Sequence, residues 1–500
     1  MAKRGRTVAA VLLAALPLVA TGQALGAVKS PPVGLAVSAS GRSLVPGASN
    51  NIDGKPNVIL FLTDDQTLGD MKVLGSVRRR IGDPGTTFRR AFSQYPLCCP
   101  ARATILTGQH AHNHGVMGNR TPEGGFEKFA DQETLPVWLR RAGYNTVMLG
   151  KYLNGYDGTA RRYVPPGWTD WQVPVHGAYN FRAFTMNENG TLKSYREYQT
   201  DHWSRRGTSL IKKYAPRVKP FFLWQGFLAP HTGGPVEPGD PIKVSGDKRA
   251  LPTPAVTSEY RDTFRGLALP SKPSILEADM SDKPSMTARR SRPRWEFREA
   301  NQQRLESLLS VNKAINTMLD TLEATGEAGN TLLIFASDNG HLVGEHRGFG
   351  KIVGYEESAR VPLMLKGPGI TSGVRRDQLV SLTDLTSTIA VAAGATPTLL
   401  QDGRPLQDFS AGPTVGAKRP MLLEAGPNAL TNGRRLYTGI RTPEGQSLLR
   451  WYTGDTEYYD LSEDPFQLDG TLSGTERQED HDALLARLDV LQNCSGASCQ

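Results

Sequence analysis

An α/β fold with a large, mostly parallel central sheet and a smaller antiparallel sheet near its C-terminus is what this 500-residue chain predicts. Three observations lead there. Residues 57–63 and 331–337 are continuous apolar runs, as expected of strands buried on both faces of a parallel sheet. Helical patterns precede the second of these runs and a similar one at 146–150, giving αβ units. After about Gly412 the text changes to short alternating segments separated by turn residues, which suits an antiparallel sheet.

The chain opens with a basic stretch, Lys3, Arg4 and Arg6, and then an apolar run over residues 8–20 that is too short and too Ala-rich for a permanent span. Residues 1–27 therefore read as a secretory signal peptide, cleaved among the small residues 24–27. No second apolar segment of spanning length follows, so an exported chain without stable membrane insertion is expected. Losing those three basic residues lowers the formal net charge from +9 to +6, an excess that favours anionic substrates and gives no reason to expect nucleic acid. Residues 28–54, rich in Ser, Gly, Pro and Ala, read as a flexible lead-in.

The fold is expected to begin at Pro56. Its first strand ends at Asp64 and Asp65. A helix over 135–142 and a strand over 146–150 make one αβ unit, which ends at Lys151. Leu305, Leu308, Leu309, Val311, Ile315, Met318, Leu319 and Leu322 trace a helical face that stops near Gly326. The strand after it ends at Asp338 and Asn339. Ligands of open α/β sheets gather beyond the carboxyl ends of the strands, so three segments deliver polar side chains to one edge. Residues 233–294, rich in Pro, Ser, Asp and Arg, read as a long surface excursion of the kind that shapes substrate access. Strands over 435–440, 447–452 and 457–461 and a helix over 481–491 complete the chain. A catalytic domain at 55–412 and a C-terminal subdomain at 413–500 follow from this division.

Four cysteines in two close pairs are not a disulfide framework. Cys494 and Cys499 could close a small loop in an oxidising compartment, consistent with export. Cys98-Cys99-Pro100-Ala101-Arg102, followed after four residues by Thr107-Gly108, reads by itself as a cysteine pair entering a helix, with Pro100 at the first helical position and Gly108 at the end. A vicinal disulfide is its redox alternative. As Cys-x-Pro-x-Arg with a following Thr-Gly, however, the stretch resembles the maturation signal of the type I sulfatases. In that family a maturation enzyme oxidises the first cysteine, here Cys98, to formylglycine, whose hydrate attacks the sulfur of a sulfate ester. The resemblance runs from about Pro56 to about Leu491, and it implies an alkaline-phosphatase-like sandwich.

Asp64, Asp65, Asp338 and Asn339 offer only oxygen donors, which suit Ca²⁺ or Mg²⁺. By itself, Asp64-Asp65 could equally cap a helix after a strand; the resemblance implies that the two pairs hold Ca²⁺ together with residue 98. It further implies that Arg102 holds the formylglycine side chain. Lys151 in Gly150-Lys151-Tyr152-Leu153-Asn154, His231 in Ala229-Pro230-His231 and Lys351 after Gly350 would surround the sulfate, with Asn154 and His346 as further substrate contacts. Pro100 at the start of its helix would leave backbone N–H groups aimed near residue 98, a favourable place for developing negative charge. One position departs from the family: Leu153 stands where many arylsulfatases carry a histidine. His112, His114 and His346 are the candidates for assisting sulfate expulsion in its place, although Asn113-His114-Gly115 could equally be a loop cap.

The Lys-Tyr-Leu-Asn version of that motif, with the segments 163–168, 337–346 and 458–465, resembles the N-acetylglucosamine-6-sulfatase and heparan 6-O-endosulfatase branch. This implies a sulfated carbohydrate as substrate more than a simple aryl sulfate. Two rival functions remain open on the same residues. One is a phosphodiesterase or phosphonate monoester hydrolase of the alkaline phosphatase superfamily, with the same formylglycine and metal. The other is a secreted glycan-binding protein without turnover, in which Cys98 stays a thiol. Asn-x-Ser/Thr triplets at Asn119, Asn189 and Asn493 would matter only in a eukaryotic secretory pathway.

Overall fold

A computed structural model of the chain describes residues 54–159, 161–240, 251–284, 292–427, 431–471 and 475–500. The signal-like segment and the lead-in up to residue 53 lie outside these. The first eight strands are β1 (Asn57–Asp64), β2 (Thr86–Phe92), β3 (Asn145–Gly150), β4 (Asp170–His176), β5 (Phe184–Glu188), β6 (Thr191–Tyr195), β7 (Phe221–Pro230) and β8 (Thr331–Ser337). A small ribbon, β9 (Leu342–Val343) and β10 (Phe349–Gly350), follows β8 and leads to Lys351. With β11 (Arg360–Lys366) and β12 (Val374–Ser381), the first eight make a ten-stranded sheet in the order β12-β2-β11-β8-β1-β7-β3-β4-β5-β6. The centre, β8-β1-β7-β3-β4, is wholly parallel, and antiparallel pairings are confined to β11 and to the β4-β5-β6 side.

The apolar runs form central strands because each has two cores to fill. Val58, Leu60 and Leu62 of β1, with Leu332, Ile334 and Ala336 of β8, face a cluster built with α1 (Cys98–Thr107), α2 (Leu135–Arg141) and, further along the chain, residues 382–393. The alternate residues Ile59, Phe61, Leu333 and Phe335 face α3 (Gln199–Tyr214) and α4 (Arg294–Ala324). Each such side chain, fully withdrawn from water, is worth about 1.5–3 kcal/mol. The period-2 rule and the two-sided burial together explain why residues 58–62 of β1 are apolar without a break.

α4 is longer than its apolar repeat. Its first turns carry Asn301, Gln302, Gln303, Arg304 and Glu306, all buried by the residues packed over them, so helical periodicity of apolar residues begins only at Leu305. The excursion after β7 has no helix or strand among its described residues; Leu251, Leu269 and Ile275 pack with Phe297 and Val343. After α5 (Leu382–Ala393), the C-terminal sheet has four strands, β13 (Met421–Ala425), β14 (Tyr437–Arg441), β15 (Gln446–Trp451) and β16 (Thr456–Asp460). β13 escaped the sequence reading because Met421-Leu422-Leu423 shows no alternation: Leu423 faces Tyr95 and Leu97, whereas Leu422 faces the last helix. That helix, α6 (Thr475–Leu491), begins six residues earlier than expected. A disulfide joins Cys494 and Cys499 beneath Leu484 and Leu488. Among the described residues no helix is long and apolar enough to cross a membrane.

Candidate active site

The parallel register brings four strand ends side by side. Thr63 pairs with Ser337, Asp64 with Pro230 and Gly150 with Gly226. The residues that follow, Asp64-Asp65, Asp338-Asn339, His231 and Lys151, therefore meet at one edge. Ligating atoms of Asp64, Asp65, Cys98 and His231 all lie within 4.8 Å of one another. Lys351 arrives from the β9-β10 ribbon, with its Nζ 2.8 Å from Cys98 Sγ and against Asp65.

Residue 98 enters the cluster on α1. Leu97 is the extended residue before the helix, and the Ala101 N–H closes the first turn on the Leu97 carbonyl. Cys98 is thus the first helical residue and Pro100 the third, where the sequence reading put Pro100 first. The Cys99 N–H is also not free for the site, because it donates to Asn119 Oδ1 at 2.9 Å. Cys98 and Cys99 are both thiols, so there is no vicinal disulfide. Cys98 is fully buried and its Sγ lies 3.3 Å from Asp64 Oδ1.

One turn on, Arg102 ties the segments together. Its Nε donates to Asp338 Oδ2 at 2.8 Å and its Nη1 to the Lys151 carbonyl at 2.7 Å, while Nη2 stands 3.6 Å from Asp64 Oδ2. Only a planar guanidinium reaches three such partners at once. Lys151 Nζ contacts Asp64, and Asn339 Nδ2 donates to Asp65 Oδ1 at 2.7 Å. His231 sets its Nδ1 2.6 Å from the Thr232 carbonyl, so that nitrogen carries the hydrogen and Nε2, 3.7 Å from Asp65 Oδ2, is left as an acceptor.

The electrostatics follow from burial and from these partners. Burial opposes ionisation of Asp64, but Lys151, His231 and Arg102 outweigh it and hold the carboxyl below its ordinary value. Asp65 is held well below, against burial, chiefly by Lys351 and His231. Asp338 goes the other way: burial and the neighbouring Asp64 charge push it up to about 6. Burial and Asp64 also push the Cys98 thiol up to about 12, which leaves it protonated and a poor nucleophile as a thiol. Burial brings His231 down to about 4, so it is neutral.

The donor set fits a hard divalent cation. Asp64, Asp65 and Asp338 supply carboxylate oxygens, and Asn339 Oδ1 is a fully buried oxygen with no hydrogen-bond partner among the described residues. Beside the cluster a cavity of about 370 Å³ is lined by Arg120, Glu127, Lys151, Asn154, Asp157 and Tyr179, among others. Asn154 faces it and donates from Nδ2 to the Tyr179 hydroxyl at 2.6 Å.

Three histidine expectations need correction. His112 Nδ1 lies 3.1 Å from each Glu424 oxygen, and its Nε2 lies 2.9 Å from the Cys494 carbonyl. His114 contacts Thr104 and accepts the Val116 N–H. His346 pairs with Glu277 at 2.6 Å and packs on Tyr355. Each is held by partners outside the cluster, so none stands in for the histidine absent at Leu153. Sequence reasoning also missed members of the site. His341, two residues after Asn339, places Nδ1 3.5 Å from Asp65 Oδ2, and that proximity to Asn339 could have flagged it. Tyr179, whose ring lies 4.8 Å from Lys151 Nζ and 4.9 Å from the His231 ring, follows no motif.

Comparison with known proteins gives the family. The family model described as Sulfatase matches residues 56–395, and the one described as N-sulphoglucosamine sulphohydrolase, C-terminal, matches residues 344–493. The arylsulfatase of Volvox carteri is 31% identical, over 89% of this chain and 76% of that one. The human N-acetylglucosamine-6-sulfatase is 29% identical, over 89% of this chain and 86% of its own length. Among solved structures, one in complex with its substrate D-glucosamine-2-N,6-O-disulfate superposes with a TM-score of 0.73 at 20% identity, covering 87% of this chain and 97% of that one, a likeness of fold.

Proposed function

Because this chain belongs to the sulfatase family and is a sulfuric ester hydrolase, we propose that it is an exported enzyme that removes sulfate from a sulfated glucosamine-type sugar, using formylglycine at residue 98 and Ca²⁺. The observation that carries the reading is the placement of Cys98, fully buried at the start of α1 between Lys351 and Asp64, with a thiol too weakly acidic to be the nucleophile unchanged. Oxidised to formylglycine and hydrated, residue 98 would supply a geminal diol, one hydroxyl of which would displace the sugar alcohol from sulfur as the S–O ester bond breaks, while the other, on losing its proton, would allow sulfate to leave and the aldehyde to return. Ca²⁺ held by Asp64, Asp65, Asp338 and Asn339 would supply polarisation of the reacting oxygens.

The chain's own residues do the rest. Lys151 and Lys351, buried cations whose charge Asp64 and Asp65 maintain against burial, neutralise the sulfuryl oxygens as charge shifts in the transition state. They are also the proton donors at hand for the leaving oxygen, since His231 is neutral and offers an acceptor. Arg102 locks Asp64, Asp338 and the Lys151 backbone in one frame.

The cavity beside Lys151 supports a sugar. Beside the apolar Val173, Pro174 and Ala178 it presents two carboxylates, an amide, a guanidinium and a phenol, groups that can bond the hydroxyls and ionic substituents of a sugar. The names of the human relative and of the glucosamine complex favour a 6-sulfate. Export is supported by the signal-like N-terminus and by the Cys494–Cys499 disulfide.

The test has two parts. Mass spectrometry of the peptide containing residue 98, treated with an aldehyde-reactive tag after secretion, should find an aldehyde. Sulfate release should then be faster from N-acetylglucosamine 6-sulfate than from 4-methylumbelliferyl sulfate. An unmodified thiol would sink the mechanism and favour a glycan-binding protein. Faster turnover of a phosphonate monoester or phosphodiester than of either sulfate would transfer the assignment to the rival hydrolases.

A further inference from the structure

α4 carries one fully buried cation to the back of the site. Arg304 has no exposed side-chain surface and lies 239 residues from Asp65 in sequence. Its Nη2 donates to the Asp65 carbonyl at 2.5 Å and to Asp70 Oδ2 at 3.3 Å, and its Nη1 donates to the Pro230 carbonyl at 3.2 Å. These three acceptors belong to the end of β1, to the turn that follows it and to the end of β7.

Two of the contacts bear directly on the proposed cation and sulfate ligands. Asp65 has a φ of 67°, a left-handed conformation that a non-glycine residue keeps only where its surroundings over-determine it. Its N–H is held by Asp338 Oδ1 at 3.2 Å, and its carbonyl is held by Arg304. Pro230 directly precedes His231, whose Nε2 faces Asp65 Oδ2. One guanidinium therefore fixes the peptide that aims the Asp65 carboxylate and the peptide that carries His231. The third contact is of another kind. Asp70 also takes the Thr67 N–H at 3.1 Å and braces the turn, touching neither Asp65 nor His231 through any hydrogen bond among the described residues.

We propose that Arg304 is a positioning residue for the divalent-cation site, acting through the carbonyls of Asp65 and Pro230, while its pairing with Asp70 serves stability. The proposal rests on the cation reading given above. A lysine at 304 keeps the charge but presents a compact ammonium, which cannot span two strand ends as the planar fork does.

The full-length secreted chain, stripped with a chelator, would be titrated with calcium chloride by calorimetry, beside thermal unfolding and steady-state kinetics on 4-methylumbelliferyl sulfate. Arg304→Lys is expected to bind Ca²⁺ about 10- to 100-fold more weakly, as for other outer partners of metal ligands, and to regain kcat as calcium is raised. Asp70→Asn is expected to lower the melting temperature while leaving Ca²⁺ affinity within about threefold of wild type, since both carbonyl contacts remain. Equal Ca²⁺ affinity in Arg304→Lys and wild type overturns the proposal. So does a loss of affinity that tracks melting temperature alike in both variants. Should Arg304→Lys not fold, Arg304→Gln takes its place, and failure of both makes Arg304 a structural residue only. A wild-type chain that binds no Ca²⁺ would overturn the cation reading itself, a result distinct from these.

Discussion

Lys351→Ala removes the ammonium that lies 2.8 Å from Cys98 Sγ and against Asp65. A surface lysine pair would be worth about 0–1 kcal/mol. Lys351 is different, because its side chain is only 12% exposed and its geometry is fixed from two sides. A fixed donor aimed at transition-state charge in a water-poor site contributes about 2.7–4 kcal/mol, a loss of about 10²- to 10³-fold in kcat when it is deleted. KM should change less, since Lys151 remains as a buried cation to hold the sulfate. Stability should fall as well, because breaking a buried pair costs about 3–5 kcal/mol when one charge is left behind. Asn339 Nδ2 still donates to Asp65, so the lower end of that range applies. Calcium should restore most of the loss, since a cation at the same carboxylate replaces the missing charge. The assay is steady-state sulfate release with mass spectrometry confirming the state of residue 98, and melting curves with and without calcium. A kcat within threefold of wild type, with residue 98 modified in both proteins, would refute the placement of Lys351 against the reacting group.

Other outcomes follow from the same contacts. Cys98→Ala should abolish sulfate release while costing only about 1 kcal/mol of stability, the loss of one small buried group, and residual turnover above background would remove residue 98 as nucleophile. Tyr179→Phe deletes the hydroxyl that accepts from Asn154 but leaves the ring beside Lys151, so KM for a glucosamine 6-sulfate should rise about fivefold, the worth of one hydrogen bond, with aryl sulfate kinetics within twofold of wild type. The His112–Glu424 pair should make stability depend on pH. Burial opposes ionisation of Glu424, but contact with His112 takes it down to about 2, so its contribution is present above its ordinary value of 4.5 and lost as pH falls through about 2. Burial likewise opposes charging of His112, but contact with Glu424 raises it above 6.5, so its contribution is complete below 6.5 and lost as pH rises through the raised value. The gap in melting temperature between wild type and Glu424→Gln should therefore be widest near about pH 5–6, between the two ordinary values, and narrow as pH rises through the raised His112 value, and a gap that widens toward pH 9 would contradict the pairing.

What the sequence could show was whatever depends on neighbours along the chain. Residues 57–63 and 331–337 announce themselves because two-sided burial keeps their interiors, 58–62 and 332–336, apolar, and a parallel sheet must then put Asp64-Asp65 and Asp338-Asn339 at the same edge. The Cys98 stretch is legible because its Cys-x-Pro-x-Arg and the following Thr-Gly lie close together along the chain. The rest depends on distant partners. His112, His114 and His346 looked equivalent to site histidines as letters, and only Glu424, Thr104 and Glu277 decide that they are not. The N-terminal turns of α4 are polar yet buried, so an apolar repeat could not find them, and Arg304 is among them. Tyr179 follows the antiparallel edge of the sheet with no pattern around it.

The charges of the site explain why these pieces belong together. Three carboxylates, Asp64, Asp65 and Asp338, face three cations, Arg102, Lys151 and Lys351, and every one of the six is largely buried. Each alone would cost several kcal/mol to hold away from water, so the sheet can close over them only as a balanced set. Cys98 fits at the centre because, as a protonated thiol, it adds no charge. A divalent cation among the carboxylates would tip the balance by two positive charges and would compete with the lysines for Asp64 and Asp65. The two ammonium groups would then have an anion as their best partner, and a sulfate group is one. Cation and sulfate ester would thus each make the other's binding more favourable, and by linkage the coupling would be the same in either order. Arg102 stands outside this exchange. Its fork is engaged by Asp338 and by the Lys151 backbone, so it keeps the frame fixed while the lysines change partners.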